Sequence, residues 1–498
     1  MSRIHVPSSP PVTPVAIDTA IPFRLDRLPW SRFHWRLVMA LGITWVLDGL
    51  EATVVGSLGP VLQSPATLGF TASQLGLAGT LYLAGAIGGA LLFGYLTDQL
   101  GRKRLFTVTL GIYLAGALLT AVAWDFWSFV LFRVVTGMAI GGEYSAINSA
   151  IDEFIPARVR GQVDLIVNGT YWVGAAVGAA ASLVLLNPAL LPTPLGWRLA
   201  FGVGGLIGGV IILARRYVPE SPRWLLTHGR HAEAEAIMAR IEAEVAGQQG
   251  AQRLAPVTQQ LTIYPGVRVS FGAIVRTVFV RYRSRMVLGL VLIASQAFFY
   301  NGISFTYPLV LYTFFGVPAE RVGLYMLGFT AANFLGPLVL GRLFDSVGRR
   351  AMISATYALS GGILIVAELL FLQGQLTATS QTLLWSLTFF FASAAASAGY
   401  LTVSEVFPLE IRALAIALFY ALGTAVGGLG APAVFGVLIQ TGQPLPLFGG
   451  YMLGAALMLG AAVVELVVGV ACERQSLEDI AAPLSTERPN PVKIESQE

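Results

Sequence analysis

Two carboxylates lie in an apolar stretch near the start of the chain, where acidic residues are rare. In "WVLDGLEATVV", Asp48 and Glu51 are three residues apart, so on a helix they share one face. Two carboxylates on one face in a low dielectric do not both stay ionised easily. One of the pair is therefore expected to bind a proton and to release it when its surroundings change.

Three further ionisable residues fall within apolar stretches. Arg133 is a possible partner for Asp48 or Glu51, and the alternative to proton binding is a static buried ion pair that only fixes the packing. Glu143, in "GMAIGGEYSAIN", is a candidate for binding a proton, another cation or a hydroxyl, or for satisfying a neighbouring backbone. Glu465 lies near the end of its stretch, where an interfacial position is expected.

These charged residues must be positioned by membrane-spanning helices. The 498 residues are 55% hydrophobic and 12% charged, whereas soluble proteins are about 25% charged. A bilayer core about 30 Å thick requires about 20 apolar residues per helix. The sequence predicts an all-α membrane protein with twelve transmembrane helices in two six-helix halves, at residues 35–62, 73–97, 104–124, 126–150, 163–186 and 197–217, then 285–314, 319–343, 351–373, 380–403, 411–438 and 447–471.

Polar stretches divide the chain around these helices. We predict an N-terminal tail (1–30), a first bundle (31–217), a linker with short helices (218–284), a second bundle (285–471) and a C-terminal tail (472–498). Of the 31 Lys and Arg, 28 lie in the tails, the linker and the gaps and helix ends on one predicted side. The positive-inside rule places that side and both termini in the cytoplasm, and we expect a bacterial inner (plasma) membrane. Topology explains the basicity, so no nucleic-acid partner is expected.

Several classes of function lack the residues that they require. A single cysteine, Cys472, and four histidines without HExxH spacing give no metal site, and no Gly-x4-Gly-Lys loop for ATP is present. We find no nucleophile–base arrangement either. The sequence therefore predicts no enzyme activity and no cofactor. A non-transporting membrane sensor is the remaining alternative, although it would need a larger soluble domain.

A charged motif recurs in the two halves. "GYLTDQLGRKR" (94–104) and "GRLFDSVGRR" (341–350) match with a shift of 247 residues. Each carboxylate lies at a helix C-terminus, where the macrodipole disfavours it, so neighbouring bases or a helix N-terminus of the same half should compensate. The glycines should permit close packing and a tight turn. The repeated residues are Gly94, Asp98, Gly101, Arg102 and Lys103, then Gly341, Asp345, Gly348, Arg349 and Arg350.

Two more pairs of motifs follow equivalent helices. "EFIPARVRG" (Glu153, Arg160) and "EVFPLEIRA" (Glu405, Arg412) match with a shift of 252, and "PESPRWLL" (Glu220, Arg223) is weakly similar to "CERQSLEDI". We expect these groups and the first motif to form one ionic network that breaks and re-forms between two states. The alternatives are charged ends that snorkel to the interface, and bases that only fix topology.

These motifs, with "GGEYSAINSAIDEFIPARVRG", resemble the major facilitator superfamily over about residues 30 to 480, in the branch with sugar porters, organic-ion transporters and metabolite:proton symporters. The resemblance implies alternating access, a monomer, transport of a small organic solute with a proton, and a cytoplasmic gate at the repeated motifs. It also implies that an acid like Asp48 or Glu51 faces Arg133. An ion-independent facilitator is the close alternative. The seventh segment, "SQAFFYNGISFTYP", departs from sugar porters, which disfavours a simple hexose.

The resemblance further implies a substrate cavity lined by the first, fourth, seventh and tenth helices. Amides and phenols there can bind hydroxyls or carboxylates, and aromatic rings can stack on a solute, although each polar group can equally bond across helices. The candidate classes of solute are organic acids, including aromatic ones, polyols and sugars. The lining candidates are Gln296, Tyr300, Asn301, Ser304, Tyr307, Asn168, Trp172, Trp385 and Tyr400, with Tyr171, Asn333 and Ser393 as further ones.

Overall fold

The structure is a computed structural model that describes residues 16–186, 189–215, 218–248, 254, 256–264, 271–304, 306–317 and 319–486. Helices make up nearly all of it. The helices up to the linker are α1 (Ile21–Asp26), α2 (Arg32–Ser57), α3 (Gly59–Gln63), α4 (Ala72–Leu100), α5 (Arg102–Ala121), α6 (Phe126–Phe154), α7 (Arg160–Leu185), α8 (Thr193–Arg215), α9 (Pro222–Thr227) and α10 (His231–Gln248).

The remaining elements complete the second half and one small sheet. The helices are α11 (Phe271–Arg276), α12 (Arg283–Ser304), α13 (Tyr307–Phe315), α14 (Ala319–Ser346), α15 (Arg349–Leu372), α16 (Ala378–Glu405), α17 (Arg412–Gly423), α18 (Leu429–Gln440), α19 (Pro444–Val468) and α20 (Leu477–Ile480). Strands β1 (Ile17–Thr19) and β2 (Leu261–Ile263) pair antiparallel. Short 3₁₀ or π turns lie at Ala157–Val159, Thr277–Arg281, Leu409–Ile411, Thr424–Gly428 and Leu484–Thr486.

Long apolar helices confirm the predicted all-α membrane class. Within the described residues, ten helices are long and apolar enough to cross a membrane. Helices α7 and α8, with 26 and 23 residues, occupy the fifth and sixth predicted positions.

Three segments predicted as continuous are interrupted. The first divides into α2 and α3, the seventh into α12 and α13, and the eleventh into α17 and α18 with a π turn between them. Pro60 and Pro308 lie in the first turns of α3 and α13, because proline lacks the N–H that a continuing helix would need. Hydropathy alone does not reveal such breaks.

The two halves pack their helices in the same way. Helix α4 lies against α6, and α14 lies against α16. A Cβ on Gly89 would be 2.0 Å from the Met138 carbonyl oxygen, and one on Gly336 would be 1.9 Å from that of Phe390. These two contacts are related by the same shifts, 247 and 252, as the charged motifs. Both glycines are needed because the helix backbones touch there.

Short elements cover one end of the bundle, which we call the basic end. It comprises the 98–102 and 345–349 turns together with α1, α9, α10, α20 and the β1–β2 sheet. Helix α10 directs Ala234, Met238, Ile241 and Val245 inward at three- and four-residue spacing, so it packs as an amphipathic surface helix. The halves meet near this end through α7 with α14 and α4 with α17.

Candidate functional site

A buried ion pair lies between the first and fourth membrane helices. Glu51 on α2 receives a hydrogen bond from the Arg133 guanidinium on α6, and the two residues are 5% and 4% exposed. The guanidinium also lies over the Tyr82 ring, 4.3 Å from its centroid. Asp48, one turn before Glu51, instead accepts a hydrogen bond of 2.5 Å from the Tyr144 hydroxyl. The two acids therefore have different partners.

Glu143 lies close to Asp48. The Thr109 hydroxyl donates to Glu143 Oε1 at 3.3 Å, and the side chain is buried. Asp48 and Glu143 both face a small pocket, whose other lining residues are Thr44, Trp45, Leu47, Tyr113, Ile140, Tyr144 and Ile147. The pocket brings two predicted acids together beside the Glu51–Arg133 pair.

Tyrosines from both halves surround Asp48. Tyr144 stacks on Tyr420 with a centroid distance of 4.6 Å and on Tyr400 at 6.4 Å, so rings of α6, α16 and α17 meet across the interface between the halves. The tyrosines within electrostatic range of Asp48 are Tyr82, Tyr113, Tyr144, Tyr171, Tyr400 and Tyr420. Sequence reasoning named only Tyr171 and Tyr400, because the others are single aromatic residues on four different helices, and Tyr144 was passed over within the motif that contains Glu143.

Most lining candidates of the second half face the same region. The Tyr300 hydroxyl donates to Asn333 Oδ1 at 2.6 Å, and the Trp172 ring of the first half lies 6.1 Å from the Tyr300 ring. Asn301 donates to its own helix at the Ala297 carbonyl, 2.8 Å away. Gln296 lies within hydrogen-bonding reach of Tyr400, and Ser393 within reach of Tyr300. The Ser304 hydroxyl is buried without a hydrogen-bond partner among the described residues.

Two lining candidates lie elsewhere. Tyr307 and Trp385 are fully buried in the apolar core of the second half. Tyr307 shares a hydrogen bond of 2.5 Å with Thr382, and Trp385 Nε1 donates to Glu368 at 2.7 Å. These bonds hold both rings inside the half instead of at its interface with the other half.

Two buried acids lie near helix ends of the second half. Glu465 is fully buried inside the protein, near the end of α19. Its expected interfacial position stays a prediction. Glu368 on α15 was not singled out from the sequence. It accepts hydrogen bonds from Trp385 and from Gln381 Nε2 at 3.2 Å, which places a polar cluster inside the second half. Glu368 lies near the end of the predicted segment 351–373, where a charged residue is ordinary, so sequence reasoning did not single it out.

The repeated aspartates cap helices of the opposite half. Asp98 accepts hydrogen bonds from the backbone N–H groups of Ala413 and Leu414, at 3.3 and 3.0 Å, at the start of α17. Asp345 accepts those of Gly161 and Gln162, at 3.1 and 2.7 Å, at the start of α7. The expectation of a helix N-terminus in the same half is therefore wrong. Because each carboxylate favours the positive end of a helix, these bonds join the two halves.

Arginines link each aspartate to the second motif. Arg102 contacts Asp98 at 3.1 Å and Glu153 at 2.8 Å. In the equivalent place, Arg349 contacts Asp345 at 2.8 Å and Glu405 at 3.0 Å. All these side chains are nearly inaccessible, so each arginine is shared by two carboxylates that water does not reach.

The later arginines of the second motif are bound less tightly. Arg160 lies 3.5 Å from Glu405 and 3.4 Å from Asp26 of α1. Arg412 donates to the Phe407 carbonyl at 3.3 Å, and its Nε and Nη1 have no hydrogen-bond partner among the described residues. The two members of this pair thus differ, although their sequence motifs match.

The third pair of motifs caps the basic end. Glu220 accepts the Arg102 N–H at 2.9 Å, and Glu473 accepts the Arg349 N–H at 3.3 Å. Burial raises the pKa of Glu220, although Arg102 and backbone N–H groups oppose the shift. Arg223 contacts Asp26 at 3.1 Å and Glu478 of α20 at 3.2 Å.

The outermost basic residues of the first motif remain at the surface. Lys103 and Arg350 are exposed, and Arg350 reaches the Leu466 carbonyl. Neither belongs to the buried network.

The four repeated glycines do not act alike. Gly101 and Gly348 have φ of 95° and 119°, which disfavours a side chain there. A Cβ on Gly94 would lie 2.4 Å from the Ala417 Cβ of the other half, whereas one on Gly341 would be 3.4 Å from Gln162. Gly94 therefore permits a closer approach between the halves than Gly341 does.

Comparison with known proteins identifies the family. The model for "Sugar (and other) transporter" matches residues 30–483. The niacin transporter NiaP of Acinetobacter baylyi is 27% identical over 461 residues, covering 92% of this chain and 98% of that protein. The inner membrane metabolite transport protein YgcS of Escherichia coli is 28% identical over 453 residues, covering 89% and 93%.

A solved structure has the same fold. The major facilitator superfamily proton:xylose symporter XylE, bound to 6-bromo-6-deoxy-D-glucose, superposes with a TM-score of 0.73 at 19% identity, covering 90% of this chain and 98% of that one. The recurrence of motifs and packing in the two halves agrees with this fold. The chain therefore belongs to the sugar (and other) transporter family of the major facilitator superfamily, as an integral membrane transporter and not an enzyme.

Proposed function

We propose that this protein is a proton symporter for a small organic acid with a planar or aromatic body. The observation that carries the proposal is the buried Glu51–Arg133 pair beside Asp48. The pair lies at the edge of the region between the halves where Tyr144, Tyr400 and Tyr420 meet, which we call the chamber. A guanidinium is suited to a carboxylate, and aromatic faces are suited to a ring. The relative that transports niacin, by its name, supports this choice over polyols and sugars.

Proton coupling would follow from competition for Arg133. While Glu51 is ionised, it holds the guanidinium and leaves no cation for the substrate. Protonation of Glu51, or of Asp48 with a proton passed between them, would release Arg133 to bind the carboxylate of the solute. Because a charge buried without a partner is costly, solute and proton would enter together. Glu143 would add a third acid to the same pocket.

The second half would supply the rest of the substrate contacts. Tyr300 and Asn333 are already hydrogen-bonded to each other at 2.6 Å and could exchange that bond for one to the solute. Gln296, Asn301, Ser304 and Tyr400 line the same side of the chamber in this proposal, and Trp172 of the first half faces Tyr300 there.

The closed basic end would be the gate. We infer that it faces the cytoplasm, with both termini there, in a bacterial inner membrane, because the basic residues concentrate at this end. Opening would break the bonds that Asp98 and Asp345 make to the opposite half. One chain contains both halves, so a monomer suffices for transport.

Purified protein in liposomes tests the proposal. With a pH gradient, nicotinate or benzoate should accumulate and should carry protons inward, whereas xylose and myo-inositol should not. Glu51→Gln and Asp48→Asn should each reduce accumulation at least tenfold while leaving exchange of solute across the membrane. The matched control is Glu233→Gln, an exposed acid on α10.

The alternative is a facilitator that uses no proton. Equilibration without accumulation, unchanged by Glu51→Gln, would favour that alternative. Proton-coupled uptake of a sugar instead of an acid would contradict the proposed substrate class only.

A further inference from the structure

We propose that Asp152 and Asp164 form a second proton-binding site, at the basic end, which is loaded when that end closes and emptied when it opens. It lies apart from the Asp48–Glu51 site, and neither residue belongs to a repeated motif. The inference depends on the proposed symport only for the direction of proton flow. Proton binding linked to closure can be measured without any solute.

Both carboxyl groups lie where water does not reach. Asp152 on α6 and Asp164 on α7 are each 0% exposed. Neither oxygen of Asp152, nor Oδ1 of Asp164, has a hydrogen-bond partner among the described residues. The Ser404 hydroxyl faces Asp152 but donates to the Leu401 carbonyl at 2.8 Å. A charged carboxylate buried without hydrogen bonds is strongly disfavoured, so the protonated, neutral form is favoured there.

Most of the bases around the pair are engaged by other carboxylates. Arg412, Glu405 and Arg160 face Asp152, while Asp152, Glu405 and Arg349 face Asp164. Arg349 is bound by Asp345 and Glu405, and Arg160 is shared between Glu405 and Asp26.

Arg412 is the remaining base that faces Asp152, and the acids Glu153 and Glu478 face it as well. It forms no hydrogen bond to either aspartate, so it can offset at most one negative charge. One proton shared by Asp152 and Asp164 would remove one of the negative charges that these bases do not offset.

A column of hydrogen bonds, bridged at one point by the Tyr144 residue itself, lies between this pair and the central site. The Tyr144 hydroxyl contacts Asp48, and the Tyr144 carbonyl accepts from Asn148 Nδ2 at 2.8 Å. Asn148 Oδ1 accepts from Asn168 Nδ2 at 3.3 Å, and Asn168 Nδ2 also donates to Asp164 at 3.1 Å. The polar groups thus run from the chamber to the basic end within the first half. Asn168, predicted to contact solute, belongs to this column.

The second half has no such pair. By the shift of 252 residues, Asp152 corresponds to Ser404 and Asp164 corresponds to Ile416. The surrounding motif, by contrast, is duplicated as Glu153 with Glu405 and Arg160 with Arg412. Asp152 therefore faces its own counterpart across the interface of the halves. Separation of the halves would expose both aspartates to water, in which they ionise and release the proton.

Pulsed electron paramagnetic resonance on the full chain in nanodiscs, without solute, tests the site. Spin labels on Leu100→Cys and Val347→Cys, in a Cys472→Ala background, report the width of the basic end; both positions are exposed. One linked proton changes the ratio of closed to open protein by up to about tenfold per pH unit. The closed fraction should fall as pH rises, since ionised aspartates resist burial.

Each of Asp152→Asn and Asp164→Asn should reduce this slope to about twofold per unit or less and keep the end closed at high pH. Asp48→Asn should retain the slope, which separates this site from the central one. The control is Asp18→Asn, an exposed acid at the same end.

Unchanged slopes in both variants, or loss of the slope in Asp48→Asn alone, would overturn the inference. Should the asparagine variants not fold, infrared spectra of the Asp48→Asn protein decide. The carbonyl band of a protonated carboxyl group should vanish as the basic end opens, and absence of that band at every pH would contradict the site. Failure of solute-driven proton transport would refute the symport proposal without altering these slopes.

Discussion

At the scale of single residues, similar side chains have different roles because their surroundings differ. Trp172 and Trp385 were both expected to contact the solute. Trp172 is half-buried between the halves near Tyr300, whereas Trp385 is fully buried and donates to Glu368 at 2.7 Å. The first can contact a solute, and the second stabilises the core.

Replacing each tryptophan by phenylalanine should separate these roles. Trp385→Phe removes a hydrogen bond to a buried carboxyl group, so the free energy of unfolding should fall by about 1–3 kcal/mol, with little change in the KM for transport. Trp172→Phe should raise that KM several-fold and leave the melting temperature nearly unchanged. Thermal unfolding and uptake kinetics measure the two effects; the reverse pattern would contradict the assignment.

At the scale of elements, α1 and α10 are held together by charge. Arg24 contacts Glu242 at 2.6 Å, Glu242 also pairs with Arg27, and the partners are about one-fifth exposed. Burial opposes the charge on Glu242, but hydrogen bonds from Arg24 and Arg27 prevail and lower the pKa of its carboxyl. A lowered pKa stabilises the docked state above the ordinary value, and this contribution is lost as the pH falls through the lowered value.

Loss of that charge should loosen α1. In Glu242→Gln, hydrogen exchange over residues 21–28 should speed up by roughly fivefold at neutral pH, because partly exposed ion pairs contribute up to about 1 kcal/mol each. The wild type should show the same loosening only below about pH 4, near the ordinary pKa of glutamate. Glu233→Gln on the same helix, whose partner is the neighbouring Arg230, should have no effect there. Equal exchange in both variants would contradict an electrostatic role.

At the scale of the whole molecule, closure of the basic end depends on two reciprocal helix caps. In each half, one aspartate caps a helix N-terminus of the other half, so two such contacts join the halves in the closed state. The bonds vanish when the halves separate and do not contribute to the stability of either half alone. They therefore act on the balance between states.

Asp98→Asn and Asp345→Asn should each shift that balance toward an open basic end. A hydrogen bond to a charged group contributes about 1.5–3 kcal/mol, so each variant should lower the closed-to-open ratio by roughly ten- to a hundredfold. The spin-label distance between positions 100 and 347 measures the ratio. Asp125→Asn, which keeps a helix cap at the opposite end, is the control. An effect of one aspartate without the other would contradict the reciprocal arrangement.

The sequence predicted the parts of this architecture that repeat or that depend on hydropathy. The 247-residue shift located Asp98 and Asp345, but not the half that each one caps, because spacing along the chain does not specify which helix lies opposite. The tyrosines around Asp48 come from separate helices and meet only on folding. Asp152 and Asp164 lie at helix ends, where charged residues are ordinary, so their complete burial has no local signal.

The pairing of β1 with β2 has a consequence for biosynthesis. Ile17 meets Ile263, so the first strand has to wait for a partner that is translated about 240 residues later, roughly 10 to 50 seconds at about 5–20 residues per second. Throughout that interval the leading segment is unpaired while six helices enter the bilayer. The order of translation therefore places this pairing after the first six helices have been made and before the second half is translated.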